Sequence, residues 1–310
     1  MDLIGKTFFF EWEVSLIIWL QAHIGPVWTA IMTFISVFGG EPACVAVIGF
    51  LYWGYDKRFG RYVGLNILVG AVIGPMIKNI FVRRRPYFDT PGIRCLSPVD
   101  YRADIYDIAA QQYSLPSVHA INSVTMYGSI AAYLKKKTVT VIVIAATIII
   151  GISRVVLGVH YPTDVMCGWV IGLVIIFVLP LLQRILKNQR ILYALLLIIT
   201  LPGFFYCKSN DFFSAYGMML GFAVGVELEQ KYVNFENTRN LLRSVLRLLF
   251  GVGVFYGMNV LLKLPFSKEF LDSGTIMAFI VRSLRYAVIT ALVFCVYPLI
   301  FKVTGKWFKK

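Results

Sequence analysis

Apolar runs of about 15 to 22 residues recur from one end of the chain to the other, and this restricts the fold more than any other feature. A helix needs about 20 such residues to cross a bilayer, because in lipid each backbone N–H and C=O must find its partner within the segment. The runs fall at 42–55, 62–82, 117–134, 138–157, 164–183, 190–206, 212–228, 245–263 and 286–303. Residues 14–39 are apolar too, but "HIGP" at 23–26 and "FGG" at 38–40 break them. That stretch reads as an interfacial or re-entrant segment. Charged residues make up 15% of the 310, where a soluble domain carries roughly 25%. The expected fold is therefore all-α, a polytopic membrane helix bundle, and an array of soluble domains is excluded. The N-terminus does not read as a signal peptide, since Glu11 and Glu13 interrupt it and no small-residue cleavage site follows.

A net charge of +14 suggests nucleic acid in a soluble protein, but here most basic residues sit in short connections between runs. Alternating the connections places "DKRFGR", "KKK" at 135–137, "QRILKNQR", the 229–243 loop and the tail "GKWFKK" on one side. That Lys/Arg-rich side is expected to be cytoplasmic, with the C-terminus on it; the expected partner is the lipid bilayer, with no nucleic acid. Arg83, Arg84, Arg85, Arg154 and the pair Arg282/Arg285 fall on the other side, against the rule. Arg239, Arg243 and Arg247 share a helical face and read as a stripe meeting anionic headgroups. Gly70/Gly74, Gly217/Gly221/Gly225 and Gly253/Gly257 repeat at four residues, a spacing for close helix packing. The five cysteines have no metal-ligand spacing; Cys95 and Cys207 pair only if the fold brings them together.

Three polar clusters interrupt the apolar pattern on one side. In "KNIFVRRRP" (78–86), Lys78 and Arg85 are two helical turns apart and Pro86 ends the helix. A cation at the membrane edge can snorkel, which suits Arg83 or Arg84. Lys78 lies deeper, where an unpaired charge costs about 2.5–3.5 kcal/mol. In "LPSVHA" (115–120), Ser117 and His119 open a helix, where free N–H groups favour an anion; a plain N-cap and a buried histidine are the alternative. In "SRVVLGVHYPTD" (153–164), Arg154 ends a run, His160 lies in the turn, and Asp164 is in the first turn of the next helix. Asp164 can reach the His160 ring or pair with Arg154. Two of the three histidines and three cations thus share one face, the composition of a phosphate-transfer site that uses no metal or other cofactor. His23 has no such company and reads as structural.

These clusters resemble the signature of the type 2 phosphatidic acid phosphatase (PAP2) superfamily, K-x6-R-P, then P-S-G-H, then S-R-x5-H-x3-D. Lys78, Arg85 and Pro86 match the first part, Pro116, Ser117 and His119 the second, and Ser153, Arg154, His160 and Asp164 the third. The likeness covers roughly 40–184, and the chain departs from it where Val118 stands for the glycine. A β-branched residue narrows the approach of backbone to phosphate, and the Val118 amide still donates if it lies in helical conformation. The resemblance implies a PAP2-like catalytic core over 1–184, with about four further transmembrane helices in an extension at 185–310. That extension is open to roles as a lipid portal, a homo-oligomer surface or a site for another partner.

The resemblance also implies a mechanism. His160 attacks phosphorus and forms a phosphohistidine, Asp164 orients His160, and His119 protonates the leaving oxygen. Lys78, Arg85, Arg154, Ser117 and the Val118 amide bind the phosphate oxygens. The expected activity is hydrolysis of a lipid phosphate at the extracytoplasmic face: phosphatidic acid, phosphatidylglycerophosphate, polyprenyl diphosphate or a sphingoid phosphate. A lipid or sugar phosphotransferase, a glucose-6-phosphatase-like hydrolase and a silent membrane scaffold are the alternatives. The long connection 87–114 is either a lid over this site or a solvated connector.

Overall fold

The computed structural model describes residues 5–238 and 240–302. It is all-α: among these residues the only β feature is an isolated bridge between Lys6 and Arg83. The helices that matter here are α1 (Glu11–His23), α2 (Pro26–Val37), α3 (Glu41–Gly49), α4 (Lys57–Phe81), α5 (Val118–Ser123), α6 (Lys137–Val156), α7 (Pro162–Leu186), α8 (Gln189–Thr200), α9 (Asn210–Leu228), α10 (Leu241–Leu261) and α11 (Ile276–Cys295). Six helices are long and apolar enough to cross a membrane. They are α4, α6, α7, α10, the run Gln189–Tyr206 that begins as α8, and the run Ile276–Lys302 that begins as α11. Pro26–Val37 and Glu41–Tyr55, bent by 43°, make a seventh if taken as one span. The chain is a multi-pass membrane protein.

Six of the nine expected runs thus meet that length and hydropathy as single helices, and a seventh does so as part of the bent pair. The run at 117–134 is helical but interrupted by a π turn at Val124–Gly128, and α9 continues into another at Glu229–Val233; neither is among the six. The run at 42–55 is the second arm of the bent pair, and residues 14–39 resolve into α1 and α2, with Pro26 opening the latter. Helix starts also moved outward, because polar caps set them. The Asp56 side chain accepts from the Arg58 and Phe59 amides, Asn240 from Arg243, and Thr275 from Ala278. Thr275 in particular starts α11 ten residues before the expected 286, so Arg282 and Arg285 lie inside a helix.

The chain divides into two compact units, Met1–Cys44 with Ile73–Leu179, and Val45–Val72 with Pro180–Lys310. Residues 45–72, expected with the core, fall with the C-terminal helices in this division. In the first unit Ile17, Tyr87, Ile93, Ala120, Val155, Leu157, Val159, Tyr161 and Val165 form one buried cluster. It packs α1 beneath the turn between α6 and α7. In the second unit α9 and α11 pack closely enough that a Cβ at Gly217 or Gly221 would meet the Ser283 or Ala287 carbonyl, as the glycine spacing predicts. Gly253 and Gly257 differ: among the described residues a Cβ at either meets nothing within 4 Å, so that repeat makes no close helix contact there. Buried Glu229 accepts from Lys57 Nζ (3.1 Å), Tyr52 OH (3.2 Å) and the Phe235 amide (3.0 Å).

The basic stripe needs correction. Arg247 donates to the carbonyls of Trp53 (2.8 Å) and Glu236 (3.1 Å) and lies over the Phe301 ring, so it braces the fold instead of facing headgroups. Arg239 and the tail "GKWFKK" lie outside the described residues. Cys95 and Cys207 are both free thiols.

Candidate active site

The turn between α6 and α7 carries His160. Gly158 makes the turn possible: its φ is +72°, and a Cβ there would collide with the Arg94 carbonyl and stand 2.6 Å from Gln21 Nε2. Gln21 of α1 donates to the carbonyls of Arg94 (2.8 Å) and Val156 (3.2 Å), and the Leu96 amide donates to Leu157 O at 3.0 Å. Pro162 then opens α7 and puts Asp164 in its first turn.

Asp164 is fully buried, and its Oδ2 lies 3.5 Å from His160 Nδ1. The same oxygen accepts from the Tyr161 amide (2.7 Å) and, through a short contact, from Ser114 Oγ. Ser114 Oγ is itself 3.4 Å from Nδ1. One edge of the imidazole is therefore held, and Nε2 lies on the other; Arg85 Nη1 stands 3.5 Å from it. Burial first, then the charges of Arg85, Lys78 and Arg154, push His160 well below its usual value and keep it neutral.

The second imidazole belongs to α5. Ser117 is its N-cap in extended conformation (φ −71°, ψ 112°), and Val118 is its first helical residue. Val118 has no positive φ, so the valine is accommodated without the strain that only a glycine relieves. The Ser117 Oγ is buried with no hydrogen-bond partner. His119 sits against the turn between α2 and α3. A Cβ on Gly39 would stand 3.1 Å from the His119 carbonyl oxygen, and one on Gly40 would stand 3.6 Å from Nε2. The charges of Arg154, Arg85 and Lys78 act on His119 as they do on His160, so the two rings share one cationic surround.

Each cation is anchored separately. Lys78 is buried near the end of α4 and donates to the Tyr113 carbonyl. Arg85 donates through Nε to Gln111 O (2.7 Å) and Gln112 O (3.1 Å), and through Nη1 to Val159 O (2.8 Å). Arg154 donates to Ser36 of α2, and its Nε is buried without a partner. An unsatisfied guanidinium N–H, an unsatisfied serine hydroxyl and two imidazoles among fixed cations can bind an anion and move protons to it. Among the described residues no group of three or more His, Cys, Asp or Glu side chains is placed to hold a metal.

The connection 87–114 is cross-linked: Gln111 Oε1 accepts from the Val99 amide (2.8 Å), and its Nε2 donates to Asp100 O (2.8 Å). His23 lies apart, bonded to Trp19 O at 2.8 Å.

Sequence reasoning missed a second rank of residues. Arg83 does not snorkel; it is 2% exposed and bonds Asp164 Oδ1 (2.7 Å), Glu13 Oε2 (2.8 Å) and the Phe8 carbonyl (2.8 Å), with its guanidinium over the Tyr161 ring. Asp164 consequently pairs with Arg83 and not with Arg154. Glu13 also accepts from the Thr163 amide at 3.0 Å and from its hydroxyl at 2.5 Å. The three arginines 83–85 have alternate fates because the chain past Val82 is extended: Arg83 and Arg85 point inward, and Arg84 pairs with Asp89 at the surface. Glu13, an acid in an apolar run, was the one visible signal.

One buried and one half-buried imidazole, within a bundle of membrane helices, share a surround of cations that three separated segments supply. The sequence model of the PAP2 superfamily matches residues 59–187, and that of the PAP2 superfamily phosphatase transmembrane extension matches 213–307. The chain belongs to the PAP2 superfamily. It is similar to an undecaprenyl-diphosphatase of Sulfolobus acidocaldarius, 26% identical over 144 residues that make up 46% of this chain and 64% of the relative. It is also similar to phosphatidylglycerophosphatase B of Bacillus subtilis, 36% identical over 87 residues, 25% of this chain and 43% of that one. The chain thus spans less than two thirds of the length of either relative. A solved transmembrane PAP2 type phosphatidylglycerolphosphate phosphatase from Bacillus subtilis aligns with 24% identity and a TM-score of 0.44, over 56% of this chain and 84% of that one.

Proposed function

We propose that this protein hydrolyses the phosphate of a membrane lipid through a covalent phosphohistidine. The observation that carries this reading is the held edge of His160: Nδ1 faces Asp164 and Ser114, which leaves neutral Nε2 to attack beside Arg85. Attack forms the N–P bond as the P–O bond to the lipid breaks, and His119 gives a proton to the departing oxygen. Water then attacks phosphorus, His119 takes its proton, and the N–P bond breaks to return His160. Lys78, Arg85, Arg154, Ser117 and the Val118 amide stabilise the charge spreading over the equatorial oxygens. Asp164 stabilises the imidazolium character that His160 gains on phosphorylation.

The names of the relatives favour a lipid phosphate or lipid diphosphate as substrate, and the loop charges favour an extracytoplasmic site with a cytoplasmic C-terminus. Phosphate release is measured without divalent metal from phosphatidic acid, phosphatidylglycerophosphate, a polyprenyl diphosphate, a sphingoid phosphate and glucose 6-phosphate, beside His160→Ala. Release from a lipid member, abolished in the variant, is the expected result; no release from any member leaves the scaffold reading. Placement is checked with a membrane-impermeant thiol reagent and a single cysteine at Tyr101, which is 70% exposed in the connection over the site. Labelling of intact cells is expected, and labelling only after lysis reverses the orientation.

A further inference from the structure

Lys263, Arg282 and Arg285 have no part in the site above, and they lie in the other unit. Arg282 and Arg285 are three apart on α11 and share a face; Lys263 follows α10, four residues after Asn259. Arg285 is 6% exposed, so protein and not lipid surrounds it, and snorkelling does not explain it. Its Nη2 donates to Asn259 Oδ1 (2.8 Å) and Asn259 O (3.3 Å), while its Nε is buried with no hydrogen-bond partner.

Among the described residues no carboxylate forms an ion pair with any of the three cations. Partial burial and then the charges of Arg285 and Arg282 pull Lys263 below its usual value, opposed by Asp272; the phenol of Tyr286 also faces Arg285. Like charges gathered from the end of one helix and the face of another, one of them with an idle buried donor, repel one another and are relieved where an anion joins them. The face of α11 that carries Ser283 is already committed to α9, since Ser283 Oγ donates to Phe213 O at 2.8 Å.

We infer that Lys263, Asn259, Arg282 and Arg285 form a second anion site, and that its ligand is a phosphate group. Two guanidinium forks and an ammonium match the several oxygens of a phosphate better than the two of a carboxylate. The group comes from an anionic lipid headgroup or from free phosphate. This site does not depend on the reaction proposed for His160.

The test uses the full chain, purified in an uncharged detergent and titrated separately with phosphatidylglycerol, phosphatidylcholine and inorganic phosphate, with bound species counted by native mass spectrometry. Wild type is expected to retain phosphatidylglycerol over phosphatidylcholine. Lys263→Gln and Arg282→Gln, both at least partly exposed and so tolerated by the fold, should each weaken the anion by about tenfold. Phosphatidylglycerol that millimolar phosphate fails to displace assigns the site to a headgroup; displacement, or binding of phosphate alone, assigns it to the free ion. The inference is overturned if the double variant K263Q/R282Q binds as wild type does. It also falls if His160→Ala removes the same bound species, because the signal then belongs to the other site.

Discussion

Arg83 and Arg285 are both arginines buried against protein, at 2% and 6% exposure, and they are treated in opposite ways. Arg83 stands between two carboxylates, Asp164 and Glu13, and every side of its guanidinium is engaged. Arg285 has an asparagine, an idle Nε and two cations for company. The first arrangement is finished without a ligand and serves geometry. The second is unfinished and stores positive potential.

Charge arithmetic at the first arrangement has a further meaning. Asp164 alone would present one negative charge to His160, and Arg83 would cancel it. Glu13 neutralises Arg83 in turn, so the trio keeps a net negative charge beside the His160 ring.

The largest effect expected from the comparison is on stability. Arg83→Leu leaves two buried carboxylates unpaired and should destabilise by about 3–5 kcal/mol, seen as a large fall in thermal midpoint in detergent. Arg285→Leu removes an uncompensated charge and should move that midpoint little, or raise it. Equal losses in the two variants would erase the distinction.

Next in size is Glu13→Gln. The fold should hold, because the amide can still accept from Arg83, but the trio loses its negative charge. We expect kcat for lipid-phosphate release to fall by about tenfold or more with KM little changed. An effect confined to KM would assign Glu13 a merely structural part.

The third effect is on pH dependence. The proposed mechanism uses His160 as the neutral ring, and burial followed by Arg85, Lys78 and Arg154 holds it well below its usual value, so wild-type activity should persist as pH falls below 6.5. Lys78→Met removes one opposing cation and makes protonation easier. The acid limb of kcat/KM should therefore move to higher pH by about one unit, on top of the loss in phosphate binding. The smallest effect should be at Gly39, where an alanine Cβ presses on Ile150 and the His119 backbone: activity should drop a few-fold and stability fall by about 1–3 kcal/mol, read from the thermal midpoint.

What the sequence disclosed follows from the distance over which each signal acts. Lys78, Arg85, Ser117, His119, Arg154, His160 and Asp164 lie within short stretches with fixed offsets, so their order and spacing are readable from the sequence. Glu13 and Arg83 are 70 residues apart, and Ser36 and Arg154 are 118 apart; no periodicity links such pairs. The same limit misplaced α11. The run expected at 286–303 leaves Arg282 and Arg285 outside it, whereas Thr275 caps the helix earlier and the fold buries Arg285. Charge marks a helix boundary only when the side chain must reach water.

Residues of α1 stand outside both segments that the family models match, yet Glu13 and Gln21 fasten the floor and the rim of the His160 turn. A minimal version of this protein trimmed to the matched segment would lose both fastenings while keeping every residue of the signature. The smallest working unit is thus larger than the smallest recognisable one. Any graft of this chemistry onto another membrane scaffold has to bring the first helix with it.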